Sequence, residues 1–248
     1  MTQSLSPSDM IEHRLGPNDT FNFACHKKIS CFNSCCRNKH LPLTPYDVLR
    51  LKKALGLHSD DFLSKYTLFQ IEPQSGFPVI SLKMSDPPTR TCLLVTVKGC
   101  RVYEDRPTCC RLYPLGRASG RRGTDDSHDE FFFPLDTPNC QGMKETKIQT
   151  VAQWREDQGL SPYTRVNDRM LNIVFHPGRD EAKRLDDRQL QKVIVSLYNL
   201  DVFREFVFNT EFLKTYQVEE AVVEKIKEDD EALLDLGFRF LEQALFQE

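Results

Sequence analysis

Phe21-Asn22-Phe23-Ala24-Cys25-His26-Lys27-Lys28-Ile29-Ser30-Cys31-Phe32-Asn33-Ser34-Cys35-Cys36-Arg37 has neither the 3.6-residue apolar period of a helix nor the alternation of a strand, yet it holds four cysteines. Thiols gathered on a stretch without regular period are the raw material of zinc and iron–sulfur sites. The spacing runs Cys25-x5-Cys31-x3-Cys35-Cys36, then Cys92-x7-Cys100, Cys109-Cys110 and Cys140, and no cysteine follows. Free cysteine is often a small buried hydrophobe, but nine confined to one part of the chain, with two adjacent pairs, point to metal ligation. Neighbouring side chains on an extended backbone point opposite ways. Cys35 and Cys36 are therefore expected to serve different metals, or one to be a ligand and the other core. Eight cysteines would fill two four-thiolate sites with this pair dividing between them.

The surrounding composition limits the alternatives. At 248 residues, 40% hydrophobic and 28% charged with a formal net charge of −3, the chain suits a globular protein of one or two domains. No run approaches the ~18 apolar residues of a membrane span, and no basic segment followed by an apolar one opens the sequence. The expectation is a cytoplasmic protein with no membrane partner, in a compartment where structural disulfides rarely persist. Residues 180–248 carry 9 Lys+Arg against 17 Asp+Glu, a net of −8, which leaves +5 for residues 1–179. That excess is too small for a nucleic-acid partner. Arg101, Arg106, Arg111, Arg117, Arg121 and Arg122 crowd the second group of cysteines, either facing an anion or offsetting thiolate charge. Arg106 and Arg111 could hydrogen-bond thiolates or form ordinary ion pairs.

Residues 1–20 read as a polar arm. Thr44 caps a helix that Pro45 and Asp47 open, with Val48, Leu51 and Leu55 as its buried stripe and Gly56 its stop. A second short helix from Ser59 buries Phe62 and Tyr66. Residues 77–84, 91–97 and 131–133 read as strands, and Lys98-Gly99 as a turn. The stretch 106–114, with a proline near each end, and the polar stretch 116–130 are expected to lack regular structure. Thr150 and Gln153 form a capping box, with Trp154 inward and Gly159 at the helix end. Ser161-Pro162 begins another helix burying Val166, Met170, Ile173 and Val174, and helices follow at about 187–200, 201–215 and 218–246.

Phe23-Ala24-Cys25, Cys31-x3-Cys35-Cys36-Arg37, Leu43-Thr44-x2-Asp47 and Arg50-Leu51 resemble the YkgJ-like cysteine-cluster family, named for a C-x2-C-x2-C-C signature and described as zinc- or iron-chelating. Cys92, Gly99-Cys100-x-Val102-Tyr103, Asp105-Arg106-Pro107, Cys110-Arg111-x-Tyr113-Pro114 and Cys140-x-Gly142 continue the resemblance in order, over about residues 21–145. Trp154-x2-Asp157-Gln158-Gly159 is similar to longer members. Two departures stand out: the first run is spaced x5 and x3 instead of x2 and x2, and Cys109 precedes the family's cysteine. The resemblance thus implies a metal set of Cys25, Cys31, Cys35, Cys36, Cys92, Cys100, Cys110 and Cys140. One branch of the family, more distantly similar, is the flagellin lysine-N-methylase, but no Gly-rich loop after a strand announces a methyltransferase here.

The fold expected is α+β: an irregular cysteine-rich half with short strands and helices, residues 21–145, packed against a helical half, residues 146–248, as one compact unit. The function expected is metal binding as an iron–sulfur cluster or clusters of [4Fe–4S] type, with redox or S-adenosylmethionine-linked modification chemistry. Zinc fingers commonly space ligands as C-x2–4-C, and only the run Cys31-x3-Cys35-Cys36 has such spacing. The alternative is Zn2+ in a structural module without catalysis, whose acidic helices dock a protein partner. His26 and His40 could be ligands but read as solvated loop residues, His128 lies in a polar loop and His176 precedes a proline at a helix end, while Asp47 reads as a cap and Tyr103 as core.

Overall fold

A computed structural model describes residues 11–73, 75–121, 128–179 and 184–246, with only the backbone described at 120, 121, 128 and 129. Arg122 and the side chains of Arg121 and His128 lie outside the described residues. In chain order the elements are β1 (Thr20–Asn22), a 3-10 turn at Ser34–Cys36, β2 (Pro42–Leu43), α1 (Pro45–Leu55), α2 (Ser59–Tyr66), β3 (Thr67–Ile71), β4 (Pro78–Leu82), β5 (Val95–Thr96) and β6 (Gly99–Cys100). There follow a 3-10 turn at Tyr103–Asp105, α3 (Thr108–Leu112), β7 (Leu115–Arg121), β8 (His128–Pro134), a 3-10 turn at Gln141–Lys144, β9 (Ile148–Thr150) and α4 (Val151–Asp157). The rest is helical: α5 (Ser161–Val174), α6 (Asp187–Val193) running into a π turn at Ile194–Tyr198, α7 (Leu200–Asn209), α8 (Phe212–Thr215), α9 (Glu220–Ile226) and α10 (Asp230–Phe246). The fold class is α+β, as expected. No helix among the described residues is long and apolar enough to cross a membrane.

The capping boxes form as read. Thr44 accepts from the Asp47 amide at 3.2 Å while Asp47 accepts from the Thr44 amide at 2.9 Å, and Thr150 with Gln153 repeats the arrangement on α4. Other expectations need correction. The polar stretch 116–130 is mostly a hairpin, β7 against β8 with Ala118 opposite Phe131. Its charges bind across it instead of facing water alone: Glu130 takes Arg117 at 2.6 Å and Arg155 at 2.8 Å. The stretch 106–114 contains α3, because Pro107 sits at the N-cap, where its carbonyl receives the amides of Cys110 and Arg111 and no donor is needed. The helix expected over 201–215 breaks at Thr210, whose hydroxyl donates to the Phe206 carbonyl and accepts from the Phe212 amide. The helix expected over 218–246 restarts where Asp229 accepts the amides of Glu231 and Ala232 at 2.8 and 3.1 Å. Strand β3 has no counterpart in the sequence reading.

Two compact units result, and each draws on separate parts of the sequence. Residues up to Leu41 and Lys83–Thr164 form the first, and Pro42–Leu82 with Arg165–Glu248 form the second. The first contains all nine cysteines. In it β1 pairs antiparallel with β9, Phe21 opposite Gln149, and β5 pairs with β6. Trp154 packs edge-on against Phe21 and Phe23, at 6.2 and 5.3 Å between centroids, and its indole donates to the Leu112 carbonyl. Leu94, Leu115 and Phe132 are wholly enclosed in the same unit.

The second unit has a sheet in the order β2-β4-β3 with Phe69 opposite Ile80. Tyr46, Leu49, Leu51, Phe62, Phe203 and Leu233 are among its buried side chains. Lys52 of α1, buried, meets Asp201 at 2.9 Å and Asp230 at 3.2 Å. Asp201 also takes the amide and hydroxyl of Ser59, and Asp230 also takes Arg204. Burial acts to raise both carboxyls. The hydrogen bonds and cations outweigh it, and both are held below the usual carboxylate range.

Candidate metal centre

The chain from His26 to Cys36 is wound by successive turns: the Ile29 amide donates to the His26 carbonyl, Phe32 to Ile29, Ser34 to Cys31 and Cys36 to Asn33. Ile29 is buried beneath it. Asn33 enters the last turn at φ 67° and its side-chain Nδ2 donates to the Thr96 carbonyl at 3.0 Å, which anchors the turn on the β5–β6 hairpin. The backbone at Cys35-Cys36 is a 3-10 turn, not the extended chain expected. With about three residues per turn, successive Cα–Cβ bonds differ by about 120°, yet the two sulfurs meet in a hydrogen bond.

Cys35 leads to one set of thiols. Burial drives the Cys25 thiol up to about 11, and Cys35, Cys31 and Cys140 each add to the rise. The backbone makes this grouping. The Ala24 amide donates to the Gly142 carbonyl at 3.1 Å and Phe23 to Lys147 at 3.0 Å, continuing the β1–β9 pairing past the strand end. The Gln141 amide then donates to Cys31 Sγ at 3.3 Å. Tyr113 hydroxyl hydrogen-bonds Cys140, and burial together with that bond pushes the phenol well up.

Cys36 leads to the other set. Cys92 amide donates to the Cys36 carbonyl at 2.8 Å, flanked by an Asn38 to Arg90 bond at 2.8 Å. Cys100 enters through the β5–β6 hairpin, opposite Val95. Burial pushes Cys92 up to about 11, the Leu94 and Val95 amides oppose, and Cys110 and Cys100 reinforce. Burial likewise raises Cys100, against the Val102 amide and the charges of Arg106 and Arg101. Between the sets, Cys36 donates to the Cys35 sulfur, which lowers Cys35 and raises Cys36.

Electrostatically Cys25 groups with Cys31, Cys35 and Cys140, and Cys92 with Cys100 and Cys110, while Cys36 is coupled to Cys35 as well as to Cys92 and Cys110. On α3 the side chain of Cys109 is turned about 100° from that of Cys110. Among the described residues no group of three or more Cys, His, Asp and Glu side chains stands ready to hold a metal ion. The thiols of each set interact, and the donor chemistry is four sulfurs each.

Arg106 and Arg111 chiefly brace the loop that carries Cys110. Arg106 donates to the Tyr103 carbonyl and Gln158 side chain and lies over the Tyr103 ring at 3.9 Å. Arg111 donates to the carbonyls of Arg106, Gln158 and Glu104. Tyr103, read as core, is 56% exposed under Arg106. His26 and His40 are exposed, and His176 stacks on Phe246 at 3.9 Å. Asp47 serves as the cap already described.

Tyr113 and Gly142 are the site residues whose roles the sequence alone did not reveal, although both stand in quoted motifs. A Cβ on Gly142 would lie 2.6 Å from the Ala24 carbonyl oxygen and 2.7 Å from the Phe23 ring. Gly142→Ala is therefore expected to pry Cys140 from Cys25 and cost about 1–3 kcal/mol by overpacking. A lowered urea midpoint of the protein as isolated checks this; an unchanged midpoint would mean the crossing relaxes freely.

No curated protein and no solved structure matches this chain. Residues 24–141 match the model of the CxxCxxCC family, described as a putative zinc- or iron-chelating domain. The match covers the cysteine-bearing segment, just under half of the chain, and ends at the Ala24–Gly142 crossing.

Proposed function

We propose that the protein binds metal through eight thiolates as two four-sulfur centres, Cys25, Cys31, Cys35 and Cys140 in one and Cys36, Cys92, Cys100 and Cys110 in the other. The observation that supports this is that backbone pairings bring thiols from distant stretches near each other, Cys25 toward Cys140 through the Ala24–Gly142 bond and Cys36 toward Cys92 through their own. The family's description, zinc or iron chelation, supports the same reading. Four thiolates are the donor set of iron–sulfur clusters and of closed zinc sites.

The thiols of each set interact without converging on one point, and a cluster spreads its ligands more widely than a single ion. This favours a [4Fe–4S] group in each set. Such a group supplies one-electron chemistry when bound. The chain's own residues donate the thiolates, give sulfur hydrogen bonds from Gln141 and Tyr113, and keep water from Cys92. With four cysteines per set every iron has a protein ligand, so the reading is one of electron holding, with no S-adenosylmethionine-linked step. Zn2+ is the second reading, favoured by the same four-thiolate closure, and it makes the protein a structural module.

Anaerobically purified protein is expected to be brown, with about eight iron and eight sulfide per chain. Colourless protein with two zinc selects the second reading. Cys25→Ser and Cys92→Ser should each remove about half the metal and Cys109→Ser none. Full retention after Cys92→Ser would overturn the two-centre reading in either form.

A further inference from the structure

We infer that the protein forms a two-fold dimer in which strand β3 pairs antiparallel with β3 of a second copy. The strand is an edge of the β2-β4-β3 sheet, and its residues, Thr67-Leu68-Phe69-Gln70-Ile71, include no charge, proline or glycine. Monomeric proteins blunt their sheet edges with charges, prolines or bulges, or cover them, since an open edge is a template for another strand. Leu68 and Phe69 point to opposite faces and are 49% and 53% exposed. Phe69 stands opposite buried Ile80, so the apolar face of the sheet stops at a half-exposed ring.

The pairing with β4 decides which backbone groups face outward. Glu72 donates its amide to the Phe77 carbonyl at 2.9 Å, and Pro78, opposite Ile71, has no amide to give. Bonded and non-bonded pairs alternate along an antiparallel ladder. Gln70 and Leu68 therefore bond to Val79 and Ser81, while Phe69 and Ile71 turn their amides and carbonyls outward. Thr67 turns outward too, but its amide is already taken by the Leu63 carbonyl of α2. The edge thus offers the amides of Phe69 and Ile71 and the carbonyls of Thr67, Phe69 and Ile71. No bond from outside the sheet reaches them among the described residues.

A second copy fits this set in one register. With the axis normal to the sheet at Phe69, the Phe69 residues of the two copies exchange amide and carbonyl, and each Ile71 amide meets the Thr67 carbonyl across the axis. Every outward amide is then used. An axis at Ile71 would set Phe69 against Pro73, whose carbonyl already takes Arg184 and which has no amide to return. An axis at Thr67 would run into α2. The same register suits the side chains. The two Phe69 rings meet on one face, where aromatic cross-strand pairs are favourable. Glu72 comes opposite Tyr66 of the other copy, whose ring lies 5.6 Å from the Lys65 ammonium, so a carboxylate approaches a cation at each end of the ladder. Such an isologous contact closes on itself. Its few residues make it small, so a weak dimer in exchange with monomer is expected.

The test is sedimentation velocity of the full-length protein, anaerobic and with a thiol reductant so that no intermolecular disulfide forms. The mass is expected to rise from one chain toward two with concentration. Hydrogen–deuterium exchange, which needs no variant, should show the amides of Phe69 and Ile71 slowing as the dimer forms, while those of Leu68 and Gln70 change little. Phe69→Lys and Phe69→Glu each set like charges against each other at the axis and should weaken association by about tenfold or more. Mixing the two should restore it. Val97→Lys, at an exposed apolar residue of the other unit, should leave association unchanged. A single-chain mass at every concentration, a dimer that Phe69→Lys leaves intact, or a mixture no more associated than its parts would overturn the pairing. So would a dimer in which the Phe69 and Ile71 amides exchange as fast as in the monomer, whether or not the variants fold.

Discussion

Stripping the metal with a chelator under reducing conditions is expected to unfold the cysteine-bearing unit and leave the other standing. The segment from His26 to Cys36 is held by single turns, and β5 and β6 have two residues each. So little regular structure cannot by itself order eight thiols against their burial. Structural metal in such settings contributes about 10–16 kcal/mol of apparent binding free energy, which is folding free energy where no site pre-exists. The readout is favourable, because the chain has a single tryptophan and Trp154 packs in this unit against Phe21 and Phe23. Its emission should shift to the red on chelation, while most far-ultraviolet helical signal persists, since α6 to α10 lie in the other unit. Restored metal should restore the emission. An unshifted spectrum in metal-free protein would show that packing alone maintains the unit.

The second large effect belongs to the other unit. Lys52→Met should destabilise it by about 3–5 kcal/mol, because removing one member of a buried ion group leaves the others uncompensated. Lys52, Asp201 and Asp230 have side chains 6%, 23% and 8% exposed, so solvent does little to screen the loss. Both carboxyls are held below their ordinary value in the folded chain. Their contribution is therefore fully present above the unfolded-state pKa near 3.8 and disappears as pH falls through the folded value. The stability gap between Lys52→Met and the unsubstituted protein, measured by urea unfolding with far-ultraviolet detection, should be widest at neutral pH and narrow below about pH 4. A gap that stayed constant to pH 2 would mean the lysine acts through packing of its stem.

What could be read in the sequence was local. Thr44-Pro45-x-Asp47 and Thr150-x2-Gln153 state their helix starts in four residues, because a cap needs only its own first turn. The extended chain expected at Cys35-Cys36 is instead a 3-10 turn in which the two thiols hydrogen-bond each other. Which cysteine-bearing stretches come together was not legible. That depends on pairings such as Cys36 with Cys92 and Ala24 with Gly142, made between segments with no common period. The β7–β8 hairpin was missed because its polar residues find partners across strands and on α4, which a one-dimensional reading scores as solvent-facing. Strand β3 escaped for a related cause: Leu68 and Phe69 are exposed, so no alternation marks it.

The crossing at Ala24 and Gly142 also has a consequence in chain topology. Cys31 and Gln141 meet although 110 positions separate them. A metal held by Cys25, Cys31, Cys35 and Cys140 is then a cross-link closing nearly the whole family segment into a ring. By the chain-entropy argument used for disulfides, a closed loop of that size restricts the unfolded ensemble by about 4–5 kcal/mol. Cys140 would then act on the unit's stability as the clasp of a long loop, in the way a bridging half-cystine does, and Gly142 beside it lets the clasp lie flat.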